Sequence, residues 1–162
     1  MLSVIGDEEK LRSASDEFGG HCLALTLLGG YLADAHNGDI RRSKEIRLGA
    51  DKGQGFQARR VMESYQSWLA EWPELSTRRI LGLFDRPADE KALAVLLKPP
   101  AIPGLTESLT DLNPTEWRAV FGRLRRARLL AAEDPHNPGH LDTHPLVRDP
   151  RDSRNPEAAL AR

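Results

Sequence analysis

The chain has 162 residues, of which 40% are hydrophobic, so it can bury one modest core or two small packed subdomains. Its 23 basic and 24 acidic side chains exclude a strong overall field that would attract nucleic acid or an anionic membrane. A single cysteine, Cys22, excludes an internal disulfide. No apolar run approaches the roughly 20 residues that cross a bilayer, and no signal-peptide pattern is present, so we expect a cytoplasmic protein with no membrane partner.

The N-terminal third of the chain predicts two helices and a connector. A helix over about 7–18 begins with acidic residues, which favour a helix N-terminus, and a Gly-Gly pair ends it. A second helix, over about 21–35, carries a broad apolar face. Residues 41–55 alternate charge and glycine, with only a short turn at 46–48. We therefore expect a connector there.

The middle of the chain predicts three further helices, over about 56–70, 74–84 and 89–97. Proline separates the first two, and Pro99-Pro100 must end the third because neither residue can donate a backbone hydrogen bond. A loop with a short helical turn near 105–109 follows.

One helix start is strongly specified by the sequence. Asn113 supplies an N-cap side chain, Pro114 suits the first helical position, and Glu116 can reach back to the cap. Over about 114–128, apolar residues recur at three- and four-residue steps, and arginines take most other directions: Arg118, Arg123, Arg125, Arg126 and Arg128. The pattern predicts one core face and one basic face.

A short hairpin is expected after this helix. Residues 134–139 are dense in turn formers and are flanked by apolar residues. Beyond them, Pro145 can begin another helix, which would hold His144 at the helix entrance.

These elements predict a mainly α fold in two parts. A helical subdomain, residues 1–55, is followed by a winged-helix subdomain with a small β-hairpin, residues 56–149. Within the second part, the helices over about 74–84, 89–97 and 114–128 are followed by a wing, which is the order of a winged helix. The tail, residues 150–162, has a weak apolar signal and is expected to be loosely ordered.

Four short motifs resemble those of one protein family in the same order. Residues 19–25 (GGHCLAL) resemble a G-L-P-L-A-L segment, and residues 63–69 resemble an S-Y-x-x-L element. Residues 81–88 resemble an F-P-E-D region, and residues 141–149 (LDTHPLVRD) resemble an M-H-D motif. These motifs belong to the signal-transduction ATPases with numerous domains, the STAND group that includes the NB-ARC and AP-ATPases. The resemblance covers about Leu11 to Asp149.

The resemblance implies a nucleotide-sensing role for three residues. In that family the M-H-D histidine contacts the β-phosphate of ADP and holds the inactive state, and here this residue is His144. An imidazole N–H is a suitable donor to a phosphate oxygen. Cys22 stands where the family has a proline that packs near the adenine, and Leu23 follows it. Pro145 replaces the motif's aspartate.

No phosphate-binding loop of the form G-x-x-x-x-G-K-[ST] occurs in the sequence. Without it the chain is expected to hydrolyse no nucleotide, and we assign no catalytic residue. ADP or ATP would bind only together with a P-loop subdomain of the same parent or a related protein. The chain then reads as a regulatory fragment of a STAND-type switch, with that subdomain as its partner and self-association left open.

A DNA-binding regulator is the alternative interpretation. A winged helix commonly places its third helix in the major groove, and Arg118, Arg125 and Arg126 would then contact DNA. Acidic residues in the proposed wing, Glu133 and Asp134, would repel phosphates. For this reason DNA binding ranks second.

A metal site is not expected, although three histidines, His136, His140 and His144, occur at four-residue intervals. Prolines and a glycine between them prevent one continuous helix that would align their side chains.

Overall fold

The computed structural model describes residues 4–46, 56–70, 72–144 and 147, and these residues are mainly helical, which confirms the expected fold class. They belong to two compact units, Met1–Ala70 with Arg126–Arg128, and Glu71–Arg125 with Leu129–Arg162. Residues 56–70, assigned above to the winged-helix subdomain, belong to the first unit. Within the described ranges, no helix combines the length and the apolar character needed to cross a membrane. The tail, 150–162, lies outside them.

The first unit begins with two helices, α1 (Glu8–Glu17) and α2 (Cys22–Ala35), close to the expected bounds. The carboxylate of Asp7 caps α1 by accepting a hydrogen bond from Lys10 N at 2.9 Å. The chain leaves α1 through Gly19 and Gly20, whose φ angles of +63° and +64° favour glycine. These glycines follow directly after Phe18, which is fully buried.

A 3₁₀ helix, Ile40–Glu45, occupies the start of the segment expected to be only a connector. Its first residue, Ile40, and the following Ile46 are both buried, and Asp39 caps it by accepting from Arg41 N at 3.0 Å. A single parallel bridge joins Ile5 to this segment, with Ile40 N donating to Ile5 O at 3.1 Å. The expectation was wrong for residues 41–45, because two buried isoleucines are enough to anchor a short helical turn.

The fourth element of the first unit, α3 (Phe56–Trp68), packs against α2. On α3, the fully buried Tyr65 donates its hydroxyl hydrogen to Ala127 O at 2.8 Å and approaches Leu27 O at 3.3 Å. A Cβ atom at Gly30 would lie 2.6 Å from Ala127 O, so only glycine permits this close approach. Tyr65 thus ties the short segment around Ala127 to α2.

The second unit contains α4 (Pro73–Leu81), α5 (Glu90–Leu96) and α6 (Pro114–Arg126). Turns connect α5 to α6, and the Thr106 hydroxyl oxygen there accepts a hydrogen bond from Ile102 N at 2.7 Å. The core of this unit contains buried aliphatic side chains from each element: Leu75, Ile80, Leu93, Leu109, Val120, Leu124, Leu129 and Leu141. α6 ends two residues earlier than expected, ahead of Arg128, whose φ angle is +61°.

The expected hairpin is not formed as a strand ladder in the described part of this unit. Ala131 N donates to Asp142 O at 2.8 Å, and Leu141 pairs instead with Ala88 in one antiparallel bridge, through hydrogen bonds of 3.0 and 2.9 Å. The turn itself is present, with Asp134 accepting hydrogen bonds from His136 N at 2.9 Å and Asn137 Nδ2 at 2.8 Å. Prolines at 135 and 138 lack the N–H groups that a longer ladder would need.

Candidate functional site

The start of α6 is fixed by reciprocal capping. The Asn113 side-chain oxygen accepts from Thr115 N at 2.9 Å and from Glu116 N at 3.1 Å. In return, a Glu116 carboxylate oxygen accepts from Asn113 N at 2.7 Å. This is the capping box expected from the sequence. It fixes the first turn of α6, from which the side chains of Trp117 and Arg118 project.

A groove of about 790 Å³ lies between α5, α6 and the residues 133–141 that follow. Its volume falls in the range of ordinary ligand-binding clefts, about 300–1,000 Å³. Leu93 and Leu141 line it and are 5% exposed each, whereas Trp117 and Phe121 are half-buried, with ring centroids 5.2 Å apart. The groove therefore combines a buried aliphatic lining with partly open aromatic side chains.

Two of the arginines singled out from the sequence line this groove. Arg118 is exposed, and its Nε donates to Pro114 O on the same helix at 3.2 Å. Arg125 donates from Nε to Ala131 O at 3.4 Å and lies 3.5 Å from the Glu133 carboxylate. Arg126, the third residue of the predicted DNA-contacting set, is exposed but does not line the groove.

Another arginine of α6 takes part in a contact that the sequence did not predict. Arg123 Nη1 lies 3.2 Å from a Glu74 carboxylate oxygen, and its guanidinium carbon lies 4.5 Å from the centroid of the Trp72 ring. Glu74 is 2% exposed, and its second carboxylate oxygen has no hydrogen-bond partner. Arg78, one turn further along α4, is also buried and donates from Nη1 to Val147 O at 3.2 Å. In the sequence, the only local sign of these buried charges was the four-residue spacing of Glu74 and Arg78, which places them on one face of α4.

His144 is exposed and lies three residues beyond the bridge residue Leu141. Its backbone carbonyl accepts a hydrogen bond from Val147 N at 2.8 Å, and Thr143 before it is buried. The helix expected to begin at Pro145 lies outside the described residues. The other two histidines of the series, His136 and His140, are also exposed, and no group of three metal-ligating side chains occurs in the part of the chain that the structure describes.

Cys22 and Leu23 form the first turn of α2 in the first unit. The ring nitrogen Nδ1 of His21 caps this helix by accepting from Ala24 N at 3.4 Å, a long contact. Cys22 is an exposed free thiol, and Leu23 is half-buried. Cys22 and Leu23 belong to the first compact unit and His144 to the second, so the two parts of the expected nucleotide site are described separately.

No protein-family model, curated protein or solved structure matches this chain.

Proposed function

We propose that this chain is the helical and winged-helix part of a STAND-type nucleotide switch. It would hydrolyse no nucleotide itself. His144 would donate an imidazole hydrogen bond to the β-phosphate of ADP held by a P-loop subdomain, and exchange for ATP would remove that contact and release the winged helix. From the resemblance, Cys22 and Leu23 would contribute to adenine recognition in the intact parent.

The observation that carries this proposal is the order of elements in the second unit. α4 is followed by the bridge residue Ala88, then by α5, α6, the turn at 134–139, and the second bridge residue, Leu141. A winged helix has the same order: three helices, with a residue after the first helix that pairs with the segment following the turn. Here Ala88 and Leu141 form that pair. His144 lies three residues after Leu141 and is exposed, as a side chain that donates a hydrogen bond to a phosphate must be.

The start of α2 also supports the proposal. In the first unit, α2 begins with Cys22, separated from the Gly19-Gly20 pair by one residue, which agrees with the resemblance to the G-L-P-L-A-L segment.

The proposal is tested by observing the His144 ring directly. In NMR spectra of the histidine side chains, recorded with a STAND-type P-loop subdomain added in trans to hold the nucleotide, ADP should shift the His144 resonances, whereas AMP should not, because it lacks a β-phosphate. Without that subdomain, affinity for ADP should be weak, because one charge-assisted hydrogen bond contributes only about 1.5–3 kcal/mol. The His144→Gln variant should lose the response and keep the melting temperature of the wild type.

His140→Gln is the matched control, since His140 is an exposed histidine four residues earlier. It should leave the ADP-induced shifts of His144 unchanged. Equal shifts with AMP and ADP, or ATP turnover by the purified chain that survives repurification, would rule out the proposed role.

DNA binding remains the second candidate because one face of α6 is open. Arg118 and Arg126 are both exposed, and a Cβ atom at Gly122 between them would meet no atom within 4 Å. The engagement of Arg123 with Glu74 and of Arg125 with Glu133 argues against it, since both acids reduce the positive charge of α6.

A further inference from the structure

The groove between α5 and α6 offers two rows of apolar side chains at helical spacing. Trp117 and Phe121 are one turn apart on α6, and Leu93 on α5 has the same spacing from Leu97, the residue that follows the end of this helix. Side chains four residues apart share one face of a helix and are separated by about 6 Å along its axis. Leu97, Trp117 and Phe121 are only half-buried, so the two rows remain partly open. Such rows match the side-chain ridges of a third helix.

The charges along the groove differ between its two ends. At the end next to the 133–139 turn, Glu133 neutralises Arg125, and the side chain of Glu90 lies against Gly139. Towards the start of α6, Arg118 is exposed, and no acidic side chain among the described residues pairs with it. The contact of its Nε with Pro114 O orients this guanidinium beside the groove. A carboxylate is the side chain that such a fork binds best.

We propose that this groove binds an amphipathic α-helix of a partner protein, with the apolar stripe of that helix on the two rows and an acidic side chain facing Arg118. Charge complementarity selects the direction of the helix, since Arg118 attracts an acidic residue at one end and Glu90 repels it at the other. About three turns of helix, or roughly 16 Å, span the wall from Pro114 to Arg125. The inference is independent of His144 and of nucleotide.

The binding test uses fluorescence anisotropy with a labelled synthetic helix of about four turns. The probe carries leucines at four- and three-residue steps and one glutamate beside the stripe at one end. Two peptides serve as comparisons, one with lysine in place of that glutamate and one with the same composition in scrambled order. The wild-type chain should bind the probe with micromolar affinity, the lysine peptide about fivefold more weakly, and the scrambled peptide not at all.

Two exposed alanines provide a matched pair of variants. Ala94 lines the groove, so Ala94→Glu should fill it with a charged side chain and weaken binding by about tenfold or more. Ala119 lies on α6 outside the groove, and Ala119→Glu should leave binding unchanged. Both variants should melt like the wild type, since both alanines are solvent-exposed positions of a helix.

The charge contact is tested separately with Arg118→Glu. This variant should reverse the preference of the groove, so that the lysine peptide binds more tightly than the glutamate peptide. Rescue by the oppositely charged peptide separates a direct contact from a loss of structure. The variant Arg86→Glu, which changes an exposed arginine elsewhere in the second unit, should keep the wild-type preference.

Several outcomes would overturn the inference. Absence of probe binding up to about 1 mM, or equal binding of the probe to the Ala94→Glu chain, would remove the groove as its site. Displacement of the probe by double-stranded DNA would show that the groove binds nucleic acid instead of a helix. Self-association of the wild type that Ala94→Glu abolishes would make a second copy of the chain the occupant.

Discussion

At the scale of single residues, the contact between Glu74 and Arg123 is asymmetric. Glu74 has a side chain only 3% exposed, whereas the Arg123 side chain is 42% exposed and also lies over the Trp72 ring. Removal of Arg123 leaves a buried carboxylate without its cation, while removal of the Glu74 charge leaves an arginine that water can still reach. The two partners should therefore differ in what their loss does to stability.

We predict that Arg123→Met lowers the free energy of unfolding by about 3 kcal/mol, and that Glu74→Gln lowers it by about 1 kcal/mol. Part of the larger loss comes from the cation–π contact with Trp72. Urea denaturation of both variants measures the difference. Arg126→Met is the control for arginine removal from the same helix, and it should change stability by less than about 0.5 kcal/mol. Equal losses for the two partners would contradict the asymmetry.

Tyr65 is a residue whose ionisation should make the fold sensitive to alkaline pH. Burial raises the pKa of the Tyr65 hydroxyl above the value of about 10 found for exposed tyrosine. The unfolded chain then loses this proton near pH 10 while the folded chain keeps it. The stabilisation is therefore complete below about pH 9 and is lost progressively as the pH rises through 10 and beyond.

We predict two effects of Tyr65→Phe. Loss of the hydrogen bond to Ala127 O should lower the free energy of unfolding by about 1 kcal/mol at neutral pH. The decrease in stability between about pH 9 and 11 should become shallower than in the wild type. It should not disappear, because burial also raises the pKa of Tyr31. Urea denaturation across this pH range measures both effects, and parallel pH profiles of the two proteins would show that Tyr65 does not cause the decrease.

At the scale of secondary-structure elements, α6 depends on the two side chains that cap it. We predict that Asn113→Ala lowers the free energy of unfolding by about 1 kcal/mol, because two backbone N–H groups lose their acceptor. Glu116→Ala should cost less, and the double variant should lose less than the sum, since each residue supports the other. Thermal and urea unfolding of the four proteins completes the cycle. Strict additivity, with Thr115→Ala as a neutral control, would contradict reciprocal capping.

The elements that the sequence predicted well are those whose signals are local. Asn113, Pro114 and Glu116 mark the start of α6 within four residues, and Gly19-Gly20 marks the end of α1 just as directly. The wing was predicted less well, because turn formers at 134–139 indicate a reversal of the chain but do not determine that Leu141 pairs with Ala88. Strand pairing across such a distance depends on packing that no local pattern encodes.

The sequence also predicted only part of the candidate site. Periodicity predicted one core face and one basic face for α6, whereas Trp117 and Phe121 are only half-buried and line the groove together with Arg118 and Arg125. The opposite wall of the groove, from α5 and Leu141, could not be placed from sequence because it depends on how the helices pack. The pairing of Glu74 with Arg123 joins residues 49 positions apart, and a charged residue at the start of a helix is ordinarily solvent-exposed.

At the scale of the whole molecule, the distribution of charge bears on the choice between a switch module and a DNA-binding regulator. The chain carries a formal net charge of −1. Two arginines of α6 are paired, Arg123 with Glu74 and Arg125 with Glu133. Among the described residues, no acid pairs with the other two arginines of this helix, Arg118 and Arg126, which are exposed. Each phosphate that a protein neutralises contributes about −0.9 to the slope of log affinity against log salt. Two arginines therefore give a shallow slope of about −2, far from that of a typical specific DNA-binding protein.

We predict that the chain binds a 20-base-pair duplex, a length of about two helical turns, with no submicromolar affinity even at about 50 mM salt. Any weaker binding should fall by less than about 20-fold between about 50 and 200 mM salt, as a slope of −2 requires. Anisotropy titrations of the wild type and of the double variant Arg118→Glu/Arg126→Glu measure both quantities. Submicromolar binding with a steep salt dependence, abolished in the double variant, would require more phosphate contacts than α6 can supply with its acidic neighbours in place. It would make the open face of α6 a DNA-reading surface, and the paired arginines would then have to leave Glu74 and Glu133 to reach the backbone.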